Sequence, residues 1–375
     1  MSLVKANTYQ DASGGSNAVF SGVASPPSSM GFRNRIINGN MVIDQRNAGA
    51  SVSISNGTTT YLTDRWQVFE NGSMAFSGQQ VSTAPAGFNR SLLITTTTAA
   101  AAGSADRCAL TQIIEGFNIA DFGWGAAGAS AITLSFWVRS SLTGQFGGAL
   151  QNSAQDYSYP FSFTISAANT FEFKTVTIAG PTTGTWSTDN TGGVRVSFDL
   201  GMGSTLLGTA GAWAAADYRG ATGDVKLSGT NGATFYITGV QLEAGTNASA
   251  FEQIDYGREL AMCQRYYYKI GPGITNSMLG VGWNASTTQS VALTTFPVTM
   301  RAAPSALEQT GTAGDYSIFS GGGSGTACSS VPSFGIANTT NARTLLTVAS
   351  GLTANGGSMA RAETTNGYFA WSAEL

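Results

Sequence analysis

From Ile132 to Arg139 the chain reads ITLSFWVR. In extended backbone this places Ile132, Leu134, Phe136 and Val138 on one face and Thr133, Ser135, Trp137 and Arg139 on the other. A helix, with its period of 3.6, cannot gather such a set on one side. The alternation returns at Val194, Val196, Phe198 and Leu200, and at Phe161, Phe163 and Ile165. In Phe171, Phe173, Val176 and Ile178 the pattern changes phase midway, for which a β-bulge is the expected cause. Gly, Asn and Ser clusters divide these runs. The chain holds 48 Gly but only 9 Pro, without a Gly-x-y period, so the glycines point to tight turns and not to collagen.

These patterns predict an all-β chain in four parts. Residues 1–32 form an N-terminal extended arm, residues 33–255 a jelly-roll-like antiparallel β-sandwich, residues 256–270 a short connecting α-helix, and residues 271–375 a second, smaller C-terminal β-sandwich. The arm carries Asp11-Ala-Ser-Gly-Gly-Ser16 and Ser25-Pro-Pro-Ser-Ser29 with Phe20 and Val23 isolated between them, too little to build a core. It reads either as a disordered terminus or as a tether that orders on docking. In YGRELAMCQRYYY, residues 256–268, Tyr256, Leu260, Cys263 and Tyr267 recur at helical spacing with Arg258, Glu259 and Arg265 off the stripe. That stripe is a candidate oligomer interface, the other reading being a helix laid against its own domain. Strands are expected again at Met278–Trp283, Ser290–Met300, Arg343–Val348 and Gly367–Ala373, with Pro297 demoting the second of them to an edge strand or breaking it and Gly321-Gly-Gly-Ser-Gly325 as a flexible loop.

Charged residues make up 10% of the chain and the net charge is −3, with Lys and Arg scattered singly. No stripe exists to neutralise a phosphate backbone, so nucleic acid is not an expected partner. No apolar run reaches the length of a membrane span, and Lys5 is not followed by the apolar stretch of a signal peptide. Membrane insertion and secretory export are not expected. Cys108, Cys263 and Cys328 are odd in number and far apart, which suits buried free thiols in a reducing cytoplasm better than a disulfide framework or metal ligands.

The chain contains no histidine, which removes the usual general base and the commonest zinc ligand. A glycosidase needs only two carboxylates, and the 21 Asp and Glu leave that chemistry formally open. Asp64, Asp121, Asp199 and Glu243 lie near apolar runs, where a carboxylate holds a turn, an arginine or a structural cation. Neither a dinucleotide-binding nor a phosphate-loop glycine motif is present. The expectation is a protein with no catalytic residues, no metal and no cofactor. What remains is aromatic side chains in polar surroundings, the requirement for stacking on sugar rings. Trp283, Tyr316 and Tyr368 stand among Gly, Ser, Thr and Asn and are the candidate ligand-binding residues; Trp371, alternating with Phe369, is assigned to the core.

Several ordered segments resemble phage tail-fibre-like or receptor-binding proteins with a carbohydrate-binding-module-like β-sandwich. They are Asn34-Arg-Ile-Ile-Asn-Gly39, Asp44-Gln-Arg-Asn47, Thr63-Asp-Arg-Trp66, Thr238-Gly-Val-Gln-Leu-Glu243, Phe251-Glu252, the helix Tyr256 to Tyr267, and Ser372-Ala-Glu-Leu375. The resemblance implies a subunit on the exterior of a virion tail, assembled in the host cytoplasm and commonly trimeric. Its N-terminal end would meet a tail or baseplate protein and its C-terminal end a bacterial surface glycan. A purely structural tail, baseplate or head-fibre component is the alternative. A depolymerase tailspike lacks a recognisable catalytic domain or parallel β-helix repeat here.

Overall fold

A computed structural model describes residues 32–54, 56–320 and 325–375. The expected arm, residues 1–32, lies outside them apart from Phe32, and so does the loop from Gly321 to Ser324. The chain divides into Met1–Arg33 and Asn34–Leu375. The second unit holds the architecture.

Two six-stranded sheets face each other. One runs, edge to edge, Val52–Ser53, Ala75–Val81, Ser91–Thr98, Thr234–Ala244, Ile132–Ser140, Glu172–Ile178; the other runs Thr59–Thr63, Trp66–Asn71, Arg107–Glu115, Gly192–Asp199, Gly144–Asn152, Ser158–Ile165. Every pairing within them is antiparallel. Ile132, Leu134, Phe136 and Val138 meet Val194, Val196, Phe198, Phe161 and Phe163 in the shared core, as the alternation requires. Phe136 packs edge-on against both Phe163 and Phe198, an arrangement that suits aromatic quadrupoles. The jelly-roll-like sandwich is therefore present.

The bulge expected between Phe171 and Ile178 is not. Glu172–Ile178 pairs with Ile132–Val138 in unbroken register. The phase change arises because Phe173 points outward while Val176 and Ile178 point in. A true register shift occurs instead in Thr234–Ala244, between Thr238 and Gln241.

Among the described residues the one α-helix is Tyr256–Gln264, capped by Asp255, whose side chain accepts the Gly257 N–H. It is shorter than expected. The aromatic run that follows is extended, and Tyr267–Ile270 pairs with Phe369–Ser372, in keeping with the strand preference of aromatics. The helix lies against its own chain: Cys263 packs with Ile37, Ile43 and Tyr266, and Leu260 rests on that cluster. Cys263 and Tyr267 are buried within the chain, which withdraws them as interface residues, and Tyr256 is exposed. Glu259 is buried, off the expected stripe, because it accepts the Asn38 N–H.

The C-terminal unit is a seven-stranded antiparallel sheet in the order Thr326–Ala327, Tyr316–Phe319, Gly357–Ala362, Met278–Asn284, Gln289–Thr295, Asn341–Thr347, Ser333–Ala337. Its second layer is slight, a ribbon formed by Tyr267–Ile270 and Phe369–Ser372. Between them lie Leu279, Phe296, Ile318, Leu346, Phe369 and Trp371, so Trp371 belongs to the core as expected. All three cysteines are free and buried, and burial pushes the Cys328 thiol up to about 12. Among the described residues no helix is long and apolar enough to cross a membrane.

Candidate functional site

The three aromatic candidates do not converge. Tyr316 is fully buried; its Oη donates to the Tyr368 carbonyl at 2.9 Å and accepts the Thr310 N–H at 2.9 Å. A buried phenol so satisfied presents no face to a ligand, and Tyr316 is withdrawn from the site. Tyr368 is half-buried, with the Lys269 ammonium 4.2 Å from its ring centroid. Trp283 is 49% exposed, on the outer face of the C-terminal sheet, among exposed aliphatic side chains.

Aromatic side chains do gather elsewhere, on the outer face of the first sandwich sheet. Trp137 and Phe173 are register partners on paired strands, and their ring centroids lie 5.4 Å apart at 50°. Phe173 is 45% exposed. Phe88, from the connection before Ser91–Thr98, and Phe251, from the segment after Thr234–Ala244, pack edge-on at 5.2 Å. These four rings, with Ser135 and Gln253, line a groove of about 460 Å³, within the size range of small-ligand sites. The register shift in Thr234–Ala244 makes room for it. There Gly239 adopts φ +61, and a Cβ at that position would stand 2.7 Å from the Phe88 ring. Glycine meets both requirements.

Beside the groove on the same face, Arg139 lies 4.8 Å from the Tyr236 ring centroid and 5.9 Å from that of Phe171. The groove's floor is tied down by side chains: Ser249 Oγ donates to Glu243 at 2.6 Å, and Gln241 accepts the Glu252 N–H at 2.8 Å. The assembly offers planar apolar surfaces rimmed by an amide and a hydroxyl. Such a surface can stack on a sugar ring and order its hydroxyls. The groove lining contains no acid or base. Of its four rings, Trp137 fell on the polar face in the sequence reading, and the phase change at Phe173 was the available signal. Phe88 and Phe251 lie in connecting segments where periodicity is silent.

A second cavity, of about 350 Å³, is lined by Tyr61, Gln67, Glu308, Ser372, Glu374 and Leu375 among others. Its two side-chain carboxylates are both engaged. Glu308 accepts the Tyr267 hydroxyl at 3.0 Å, and Glu374 is paired with Arg46 at 3.1 Å and with Arg65. Arg65 sits at φ +70 in the turn between two paired strands, and its guanidinium lies 3.6 Å from the Tyr266 ring centroid. Arg46 lies between the rings of Tyr61 and Tyr267, at 4.1 and 3.6 Å. Asp64 accepts from the Gln45 amide at 2.9 Å; burial pushes its carboxyl up to about 7, with Arg46 and Gln45 pulling the other way. Among the described residues no group of three or more His, Cys, Asp and Glu could hold a metal.

This junction collects the segments that carried the family resemblance. Asn34 donates to the Val240 carbonyl at 3.1 Å, Trp66 Nε1 to the Asn38 carbonyl at 3.0 Å, and Val240 N to the Gly39 carbonyl at 2.9 Å. Glu252 accepts the Asn34 N–H at 2.6 Å. Arg265 and Tyr266 both donate to Glu115. These residues join the sandwich to the helix and the segment after it, while Arg46 and Arg65 tie it to Glu374 at the end of the C-terminal unit. Asp121 and Asp199 are likewise paired, with Arg35 and Lys226.

No family model and no curated protein matches the chain. Among solved structures the chain is similar to the enzymatically active domain of tailspike protein 4 of bacteriophage CBA120, at 13% identity and a TM-score of 0.29. That match covers 51% of this chain and 21% of the tailspike chain. It is similar also to a family 4 carbohydrate-binding module (14% identity, TM-score 0.28, 56% of this chain and 98% of that one). A third is the family 11 carbohydrate-binding module of a cellulosomal cellulase of Clostridium thermocellum (12% identity, TM-score 0.26, 52% and 99%).

Proposed function

We propose that this protein is a non-catalytic subunit of a phage tail fibre, on the virion exterior, that recognises a bacterial surface glycan through the groove formed by Trp137, Phe173, Phe88 and Phe251. The observation that carries glycan recognition is the Trp137–Phe173 pair, half-open on a sheet face beside a groove of about 460 Å³. Buried aromatics need no such opening; exposed ones cost solvation unless a ligand covers them. This reading moves the glycan contact from the C-terminal unit to the sandwich. The resemblance of the ordered sequence segments to tail-fibre-like proteins is what supports the virion placement and a homo-oligomer docked through its N-terminal end. In such an assembly many modest sites act together by avidity.

The test is binding of the full chain to a panel of bacterial surface polysaccharides and to host cells. Binding that is lost in folded Trp137→Ala and Phe173→Ala variants supports the proposal. Wild-type chain that binds no polysaccharide, or variants that bind as well as wild type, overturn it. A structural tail component is the second reading, favoured by the junction segments, whose Asn34, Trp66 and Glu252 side chains serve as internal joints.

A further inference from the structure

Among the described residues the C-terminal sheet is covered by its ribbon on one face and open on the other. Along the open face the pairing register sets Phe319 opposite Met359, Met359 opposite Val281, Val281 opposite Leu293, Leu293 opposite Arg343, and Arg343 opposite Ile336. Directly opposed residues of antiparallel strands share a face. The result is one row crossing six neighbouring strands, five of its six side chains apolar. Val281 is 57% and Ile336 61% exposed. Trp283 stands one position along on the same side.

Such a row is not a solvated face. Strands that present one side to water place polar residues there, and a contiguous apolar patch of this kind marks an interaction surface. Its electrostatics restrict the partner. Arg343 is the row's ionic member, and the neighbouring Arg361 is paired with Glu363 at 2.6 Å and lies 5.8 Å from the Phe319 ring centroid. An acidic or basic partner would meet little complementary charge, whereas a surface as nearly neutral as this one matches it. A chain with only 10% charged residues supplies that surface itself.

Size agrees. With seven strands at about 4.8 Å spacing and about six residues of about 3.3 Å each, the face measures roughly 29 by 20 Å, or about 600 Å² before side-chain relief. Two such faces cover about 1,200 Å², the lower edge of a standard stable interface. We propose that the row from Phe319 to Ile336 packs against the same face of another copy of this chain. The interface is thereby assigned to the C-terminal sheet and not to the helix Tyr256–Gln264. This locates the contact within the homo-oligomer proposed above and is independent of the glycan groove.

Light scattering and sedimentation of the full chain test it. Wild type is expected to be oligomeric at micromolar concentration, and Val281→Glu combined with Leu293→Glu to fall to the mass of a single folded chain. Phe173→Ala is expected to lose glycan binding and keep the oligomer, which separates this proposal from the previous one. Hydroxyl-radical footprinting of wild type covers the case in which the double variant fails to fold: protection of Met359 and Trp283 is expected. A monomeric wild type, an oligomer that survives the double substitution in folded form, or full labelling of both residues overturns the proposal. So does a monomer in which added polysaccharide protects Trp283, since the face would then be a ligand platform.

Discussion

Trp137 and Phe173 occupy directly opposed positions on two antiparallel strands, their ring centroids 5.4 Å apart, and both turn away from the core that their neighbours build. Phe136 and Val138, flanking Trp137, are fully buried. One strand thus serves two surfaces, the inner for the core and the outer for the proposed glycan contact.

Removing either ring of that pair is expected to weaken polysaccharide binding by about 2 kcal/mol, roughly 30-fold, as central aromatic contacts do at interfaces. Titration calorimetry with the polysaccharide selected by the panel measures the loss. The thermal midpoint is expected to change little, because Phe173 is half in solvent.

Gly239→Ala acts on the groove from beneath. The left-handed backbone there disfavours a side chain by about 1 kcal/mol, and the new Cβ pushes on Phe88. Both stability and polysaccharide affinity are expected to drop together, read by denaturant unfolding and by the same titration. An alanine variant with unchanged affinity would show that Phe88 takes no part in binding.

Glu374→Ala strips the partner from the buried Arg65 guanidinium. Breaking a buried pair from one side costs about 3 kcal/mol or more, so a large loss in the urea midpoint is expected. Glu374→Gln, which keeps an acceptor oxygen, is expected to lose less.

Acidity should favour this fold over a defined range. Burial raises Asp64 from its ordinary 3.8 to about 7, and Asp224 from 3.8 to about 6. The folded chain therefore holds these protons more tightly than the unfolded chain does. Their contribution is fully present below about pH 4, declines as pH rises, and is lost above about 7. Melting temperature is expected to fall by several degrees between pH 5 and pH 8. Asp64→Asn is expected to flatten that slope in the same thermal scans.

Much of the sandwich could be read from periodicity. Ile132, Leu134, Phe136 and Val138 fall to one face by arithmetic alone, and all four are buried. Alternation separates two faces but does not tell which aromatic belongs on the outer one, so Phe173 read as a bulge and Trp137 as the polar side. Local composition erred at Tyr316 for a different reason. Its Gly- and Ser-rich surroundings resemble a loop tip, yet Thr310 and Tyr368 supply partners for its hydroxyl, and that permits burial. The helix was legible at its start, through the spacing of Tyr256, Leu260 and Cys263, and not at its end, since the pairing of Tyr267 with Ser372 depends on a strand over a hundred residues later.

The Arg65–Glu374 pair spans 309 residues of sequence. Loop closure over such a distance is slow compared with local pairing. The hairpin that carries Arg65 and the two sheets above it can therefore assemble well before Glu374 arrives, leaving a guanidinium without its counter-charge in the interim. Refolding is expected to occur in two phases, a faster one that forms the sandwich and a slower one that closes the junction. A turn that forms early is then among the last to be neutralised, because its counter-charge lies 309 residues away.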